Sequence, residues 1–262
     1  MTSPAGLGGA RVGCVLQAGV ARVTLCHPGK FNAMSRAMWR QLRTVFEQIA
    51  ATESLRCVHL SGADGHFCAG GDISEYPDFR FQINELHDFH ENEVWAGLSA
   101  MLACDVPIVA QIAGNCMGAG LEIASCCDLR LAGASARLGA PIARLGFPMA
   151  PREAQLLVRE VGWATVREML LQAAVLDAAE MKARGFLHAV YGDAELLEQA
   201  QARVQQLLTL APQAARRNKR SLRALAAATC VESTPLDAYD YADSAEQREG
   251  IAAFLSKRRA RF

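Results

Sequence analysis

Two glycine-containing turns in this chain carry residue types that could bind a negatively charged oxygen through the backbone. The first turn, residues 66–72, contains Gly70 and Gly71, and the second, residues 114–120, contains Gly118 and Gly120. Glycine permits positive φ angles and close approach to the main chain, and an N–H group at a helix start lacks a partner within the helix. One N–H group from each turn, converging on one point, would form an oxyanion hole. By themselves, the turns indicate only an α/β enzyme with a candidate anion site.

Other chemistry-bearing patterns are absent from the sequence. There is no G-x-G-x-x-G dinucleotide motif and no G-K-[ST] phosphate loop. The nine cysteines form no C-x-x-C pair, which favours reduced, mostly buried thiols over a zinc site or a disulfide framework. His87 and His90 share one predicted helix, but no other residues complete a metal-ligand spacing. We therefore expect neither a metal nor a cofactor.

The overall composition limits the classes of partner. Lysine and arginine total 27, as do aspartate and glutamate, so no net charge attracts nucleic acid or an anionic membrane surface. No run approaches the 18 apolar residues that a transmembrane helix needs. The N-terminus lacks the apolar stretch of a secretory signal. We expect a cytoplasmic protein that binds neither nucleic acid nor membranes.

The elements that must position the two turns follow from hydrophobic periodicity and from turn signals. Residues 12–17 and 20–25 predict a β-hairpin, and Ser35 is a candidate N-cap for a helix that runs to about residue 51. Further strands are predicted at 57–60, 108–112 and 129–132. Helices are predicted at about residues 79–104, 121–126, 151–171, 178–185, 193–210 and 212–229, with one or two more between 235 and 260. The expected organisation is a flexible segment 1–10, an α/β core of stacked ββα units over 11–192, and a helical region over 193–262.

Five motifs in this order resemble the crotonase superfamily, also called the enoyl-CoA hydratase/isomerase family. The segment 23–34 is similar to the family's first strand and its R-P-x-x-x-N-A-L turn, and 67–73 is similar to its first oxyanion turn. The second oxyanion turn and the strand after it match residues 107–130, and 250–258 resembles the C-terminal signature. The resemblance covers nearly the whole chain. It implies a spiral of ββα units with a C-terminal helical trimerisation region, assembled as a trimer or a dimer of trimers.

The resemblance also implies roles for individual residues. The N–H groups of Gly71 and Ala119 would bind the thioester oxygen of an acyl-CoA as it becomes enolate-like. No cofactor is implied, since coenzyme A is part of the substrate. The implied substrate and coenzyme A contacts are Lys30, Phe31, Ala69, Gly71, Asp72, Ile73 and Ala119, with Phe254 and Lys257 reaching coenzyme A on a neighbouring subunit.

Hydratases of this family use two glutamates to position water and to move protons. The first corresponds to Glu122, and the position of the second is occupied by Ile142, which cannot carry a proton. A simple double-bond isomerase is disfavoured by this change because such enzymes depend chiefly on the second carboxylate. The leading interpretation is hydration of a 2-enoyl-CoA to a 3-hydroxyacyl-CoA.

Three alternatives remain open at this point. Glu122 could activate water alone, with the water or another group returning the proton. An acid from elsewhere could replace the missing glutamate, although each candidate is expected to be a solvated or capping residue. The site could instead run other enolate chemistry (isomerisation, decarboxylation or thioester hydrolysis), or bind acyl-CoA without catalysis. The candidate acids are Asp72, Glu75, Glu91, Glu93 and Glu153.

Overall fold

The computed structural model describes residues 9–227 and 244–262, apart from the side chains of Ala227 and Phe254. Most of the segment predicted to be flexible, 1–10, therefore lies outside the described residues. The strands are β1 (Arg11–Gln17), β2 (Val20–Cys26), β3 (Cys57–Gly62), β4 (Ile108–Ile112), β5 (Asn115–Met117), β6 (Leu129–Gly133), β7 (Arg137–Gly139), β8 (Val175–Asp177) and β9 (Ala189–Tyr191). The helices are α1 (Arg36–Ala51), α2 (Ile83–Asp88), α3 (Trp95–Ala103), α4 (Ala119–Ser125), α5 (Pro151–Val161), α6 (Trp163–Leu171), α7 (Ala178–Ala183), α8 (Leu196–Leu208), α9 (Pro212–Ala227) and α10 (Ala245–Leu255).

The central sheet confirms the predicted α/β class. Six strands lie in the order β1-β2-β3-β4-β6-β9, with the predicted hairpin antiparallel and each later neighbour parallel. Parallel neighbours end at the same edge of a sheet, so the turns that follow β3 and β4 lie side by side. A second sheet, β5-β7-β8, was not predicted. Its first strand lies within the second glycine turn.

Helix α1 begins where its sequence predicts. The Ser35 side chain accepts a hydrogen bond from the backbone N–H of Met38 at 3.2 Å, which satisfies one of the unpaired donors at the helix start. Its apolar residues recur every three or four positions, and this face is buried against the sheet and α3. The buried face consists of Met38, Trp39, Leu42, Val45, Phe46 and Ile49.

Two predicted long helices are broken in the structure. The predicted helix 79–104 is instead α2, a π-helical turn Phe89–Val94 and α3. The wider π turn buries Phe89, Glu93 and Val94 together, and such turns are frequent at functional sites. The predicted helix 151–171 is interrupted at Gly162, whose φ of 88° cannot continue a right-handed helix.

The sheet is covered on both faces, as its strand alternation requires. Ala110 faces the main core, whereas Val109 and Leu131 face a second cluster formed with Ala200 and Val204 of α8. Within the described residues, no helix is long and apolar enough to span a bilayer. The spiral stacking of ββα units and the trimerising role of the C-terminal helices stay predictions.

Candidate active site

The two glycine turns are bonded to each other. The backbone N–H of Cys68 donates to the carbonyl of Asn115, and the N–H of Met117 donates to the carbonyl of Cys68, both at 2.9 Å. The backbones of the two turns come very close at Gly120, where a Cβ would lie 2.5 Å from the Cys68 carbonyl oxygen. Gly118 has a φ of 45°, which only glycine adopts at little cost. The glycines are therefore required because two backbones meet here.

Each turn presents one free backbone N–H group. The N–H of Met34 donates to the carbonyl of Gly70, and the N–H of Asp72 donates to the carbonyl of Met34. Gly71 lies between these two hydrogen bonds, so its own N–H points away from Met34. Ala119 is the first residue of α4, and its N–H has no acceptor within that helix. In the described parts of the chain, neither N–H group has a hydrogen-bond acceptor. Both residues line one cavity of about 320 Å³.

The cavity has a mainly apolar wall with a few polar groups. A volume of this size suits a small acyl group rather than a whole coenzyme A molecule. The polar side chains of the lining are Tyr76, Arg80, His90, Glu122, Arg144 and Glu153. The apolar lining includes Trp39, Ile73, Phe89, Val94, Met117, Ile142, Leu145, Phe147, Pro148 and Met149.

Glu122 lies in the first turn of α4 and faces this cavity. Only 6% of the residue is exposed, and no donor among the described residues hydrogen-bonds its carboxyl group. Burial, followed by the negative charge of Glu153, raises the pKa of Glu122 well above its ordinary value of 4.5. A buried carboxyl group with a raised pKa and no structural partner is typical of proton transfer rather than of helix stabilisation.

Glu153 is not solvated as expected, although a backbone hydrogen bond from Ala150, the N-cap of α5, gives it the expected capping contact. It is 4% exposed, it lines the same cavity, and its Oε1 lies 2.7 Å from Nδ1 of His90. Burial raises the pKa of Glu153 to about 8, although the positive charge of Arg80 lowers it. Burial also lowers the pKa of His90, and the charge of Arg80 lowers it further. Both shifts favour the uncharged forms, a protonated carboxyl group beside a neutral imidazole.

The other candidate acids have structural partners. Asp72 accepts the N–H of Ser74 at 3.2 Å, and Glu75 accepts the N–H of Arg36 at 2.7 Å, so both cap local structure as expected. Glu91 pairs with Arg152 at 3.2 Å. The candidate Glu93 was also expected to be solvated or capping. It is instead buried, with 7% of the residue exposed, and it forms ion pairs with two arginines of α1, Arg36 and Arg40.

Sequence reasoning missed Arg80 and Tyr76. The Arg80 guanidinium lies 3.8 Å from the ring centroid of Phe147 and 4.6 Å from that of Tyr76. Burial lowers the pKa of Arg80 and raises the pKa of Tyr76 to about 12. The Tyr76 hydroxyl lies so close to Gly71 that a Cβ there would collide with it. Neither residue belongs to a motif, so no local signal marks them.

The structure brings together some of the predicted site residues and leaves others outside the cavity. Lys30 pairs with Asp72 at 2.7 Å and donates to the Ser74 hydroxyl at the same distance. Burial alone would raise the pKa of Asp72, but hydrogen bonds from Lys30 and Ser74 outweigh it and lower the pKa. The exposed ring of Phe31 packs edge-on against His66. The predicted residues in the cavity lining are Ala69, Gly71, Ile73, Ala119 and Glu122.

Lys257, one of the two C-terminal residues predicted to contact coenzyme A on a neighbouring subunit, is not part of this cavity. Lys257 is exposed and has a φ of 52°, and the side chain of Phe254 lies outside the described residues. Ile142 does line the cavity, so the position expected to hold the second glutamate presents an apolar side chain there. No cluster of three or more potential metal ligands occurs in the described ranges 9–227 and 244–262.

Comparison with known proteins gives matches over nearly the whole chain. The family model described as enoyl-CoA hydratase/isomerase matches residues 16–262. A probable enoyl-CoA hydratase from Rhizobium meliloti is 28% identical, covering 94% of this chain and 95% of the relative. The 2,3-dehydroadipyl-CoA hydratase of Escherichia coli is 30% identical, covering 93% of this chain and 94% of the relative.

Solved structures show the same architecture. The crystal structure of an enoyl-CoA hydratase/carnithine racemase from Magnetospirillum magneticum superposes with a TM-score of 0.92. It is 34% identical and covers 96% of this chain and 94% of that chain. A putative enoyl-CoA hydratase/isomerase family protein from Hyphomonas neptunium has a TM-score of 0.88 at 26% identity, covering 96% of this chain and 97% of that chain.

Proposed function

Since this chain belongs to the enoyl-CoA hydratase/isomerase family, we propose that it is an enzyme that hydrates a 2-enoyl-CoA to a 3-hydroxyacyl-CoA. The observation that carries the proposal is that Glu122 and the free N–H groups of Gly71 and Ala119 face one cavity. The hydratase names of the Rhizobium and Escherichia relatives support the same reaction.

The proposed chemistry begins at the thioester. Its carbonyl oxygen accepts hydrogen bonds from the N–H groups of Gly71 and Ala119, which are fixed in place by the joined turns. These donors stabilise the negative charge that develops on the oxygen when water attacks Cβ, and preorganised donors contribute most at that stage. Glu122, in its ionised form, accepts the proton that the attacking water loses.

The surrounding cavity supports this assignment. An apolar wall lowers the local dielectric and strengthens the interaction of the two N–H groups with a developing enolate. Burial of Glu122 raises its pKa, which makes its carboxylate a stronger base than an exposed glutamate. The remaining expectations, a trimer or dimer of trimers in the cytoplasm, form part of the proposal.

The experiment is an assay of crotonyl-CoA hydration, followed by the loss of its conjugated enone absorbance. Glu122→Gln should lower kcat by about 10²–10⁴-fold, as expected for the loss of one positioned base, while the variant still binds crotonyl-CoA. The matched control is Glu168→Gln, which makes the same chemical change on α6, at a side chain that is 37% exposed and does not line the cavity. Binding without turnover in the unmodified protein would refute hydration and favour a non-catalytic acyl-CoA-binding protein.

A further inference from the structure

The cavity contains a second carboxyl group that is not at the position where the family carries one. Hydration needs two proton transfers, one from water at Cβ and one to Cα. Ile142 lines the cavity and offers no proton. Glu153 reaches the same space from α5, which packs directly against α4 and so against the helix of Glu122.

The Glu153 side chain is held in one orientation by a specific contact. Its Oε1 lies 2.7 Å from Nδ1 of His90, which belongs to the π-helical turn Phe89–Val94. A glutamate in the first turn of a helix normally stabilises that helix from the surface. Here the carboxyl group is directed inward, and burying it costs free energy that a surface position would avoid.

Charged and titratable groups face Glu153 from each element around it. Glu122 approaches from α4, and Arg80 and Tyr76 approach from the segment before α2. His90 and Glu91 approach from the π-helical turn. Arg80 is the cation of this set that lowers the pKa of Glu153, whereas Glu91 raises it.

Glu122 and Glu153 influence each other's ionisation. The charge of Glu153 raises the pKa of Glu122, and an interaction between two titrating groups is reciprocal. Two carboxyl groups that oppose each other's ionisation hold a single proton over an interval of pH. In that interval, one member of the pair is a base while the other is an acid.

We propose that Glu153, positioned by His90, supplies the second proton transfer of the hydration and replaces the acid that is missing at Ile142. This inference rests on the proposed function. Water adds its oxygen to Cβ and gives a proton to the Glu122 carboxylate, while the π electrons move onto the thioester oxygen. The enolate then collapses, and its Cα takes the proton of the Glu153 carboxyl group. The proton on Glu122 returns to Glu153 before the next turnover, so the net reaction adds one water.

The first test compares two matched variants in the crotonyl-CoA assay. Glu153→Gln should lower kcat by about 10²–10⁴-fold with a KM within about threefold of the parent. Glu168→Gln makes the same chemical change at a residue that pairs with Arg184 outside the cavity, and it should retain kcat within about twofold. Equal activity of Glu153→Gln and the parent would overturn the inference.

The second test uses the pH profile and does not require the Glu153 variant to fold. The unmodified enzyme should lose kcat/KM on the alkaline side as the carboxyl pair gives up the single proton that it shares, because the pair must hold a proton in order to donate one. His90→Ala should shift this limb to lower pH for two reasons. The substitution removes the imidazole that accepts the hydrogen bond of the Glu153 carboxyl group, and it admits water to the cavity. An unchanged limb in His90→Ala, or no limb in the parent, would contradict the role of the pair.

The two proposals fail in different ways. A parent protein that binds but does not hydrate crotonyl-CoA refutes the proposed function itself. A parent that is active, with turnover abolished in Glu122→Gln but retained in Glu153→Gln, leaves hydration in place and refutes only the role of Glu153.

Discussion

Replacing Glu153 with glutamine should make the stability of the protein less dependent on pH between about 4.5 and 8. The pKa of Glu153 is about 8 in the folded protein, against an ordinary value of 4.5 that applies to the unfolded chain. Between these values, unfolding releases a proton, so raising the pH favours the unfolded state. The stabilising effect of the neutral carboxyl group is complete below pH 4.5 and is lost as the pH rises through 8.

The magnitude follows from the two pKa values. A difference of 8 minus 4.5, at about 1.4 kcal/mol for each factor of ten in the acid constant, corresponds to about 5 kcal/mol. Water that enters the cavity and coupling to Glu122 both reduce this free-energy difference. We therefore expect about 2 kcal/mol. For a chain of this length, about 2 kcal/mol corresponds to a Tm difference of about 4–8 °C.

The assay is thermal unfolding of the parent and of Glu153→Gln in matched buffers from pH 5 to pH 8.5. The Tm of the variant minus that of the parent should increase by several degrees across this range. The control is Glu168→Gln, because its hydrogen bond from Arg184 lowers the pKa of Glu168 and confines its pH effect to more acidic conditions. A constant difference for Glu153→Gln would refute the reasoning, since it would show that the folded protein does not hold Glu153 in its neutral form.

Two further substitutions test the packing that positions the turns. Gly120→Ala places a Cβ 2.5 Å from the Cys68 carbonyl oxygen, which should force the two turns apart and destabilise the protein by about 1–3 kcal/mol. Thermal unfolding would measure the loss of stability, and the hydration assay would measure the effect of the displaced turns on activity. An unchanged Tm would contradict the close contact. Asn32→Ala should cost about 2–4 kcal/mol in urea unfolding, because the buried Asn32 amide bonds the backbones of His27, Ala63 and His66. Less than about 0.5 kcal/mol would show that water replaces these bonds.

Much of the site could be predicted from local sequence. Glycine is needed at 118 because φ is 45° there, and the Ser35 cap and the first turn of α4 follow from short-range rules. These features depend on neighbouring residues, so the chain itself specifies them. The positions of Gly71, Ala119 and Glu122 on one cavity follow from the resemblance of their motifs to a known family and from the parallel order of β3 and β4.

The interruption of the predicted helix 79–104 depended on tertiary packing. Residues 79–104 have helical periodicity throughout, and no local signal marks the π-helical turn at Phe89–Val94. The turn lets Phe89 pack against Phe79 at 4.5 Å between ring centroids while Glu93 meets the arginines of α1. Such long-range contacts outweigh the modest preference of each residue for an α-helix.

The sequence by itself determined the glycine turns, the helix caps, the alternation of the strands and the absence of an acid at Ile142. Only the tertiary structure decided that Glu153, on a different helix from Glu122, shares its cavity and is hydrogen-bonded to His90. A short motif reports the conformation of adjacent residues. Burial and the charge of distant neighbours, by contrast, set the pKa of a carboxyl group, and both exist only after the chain has folded.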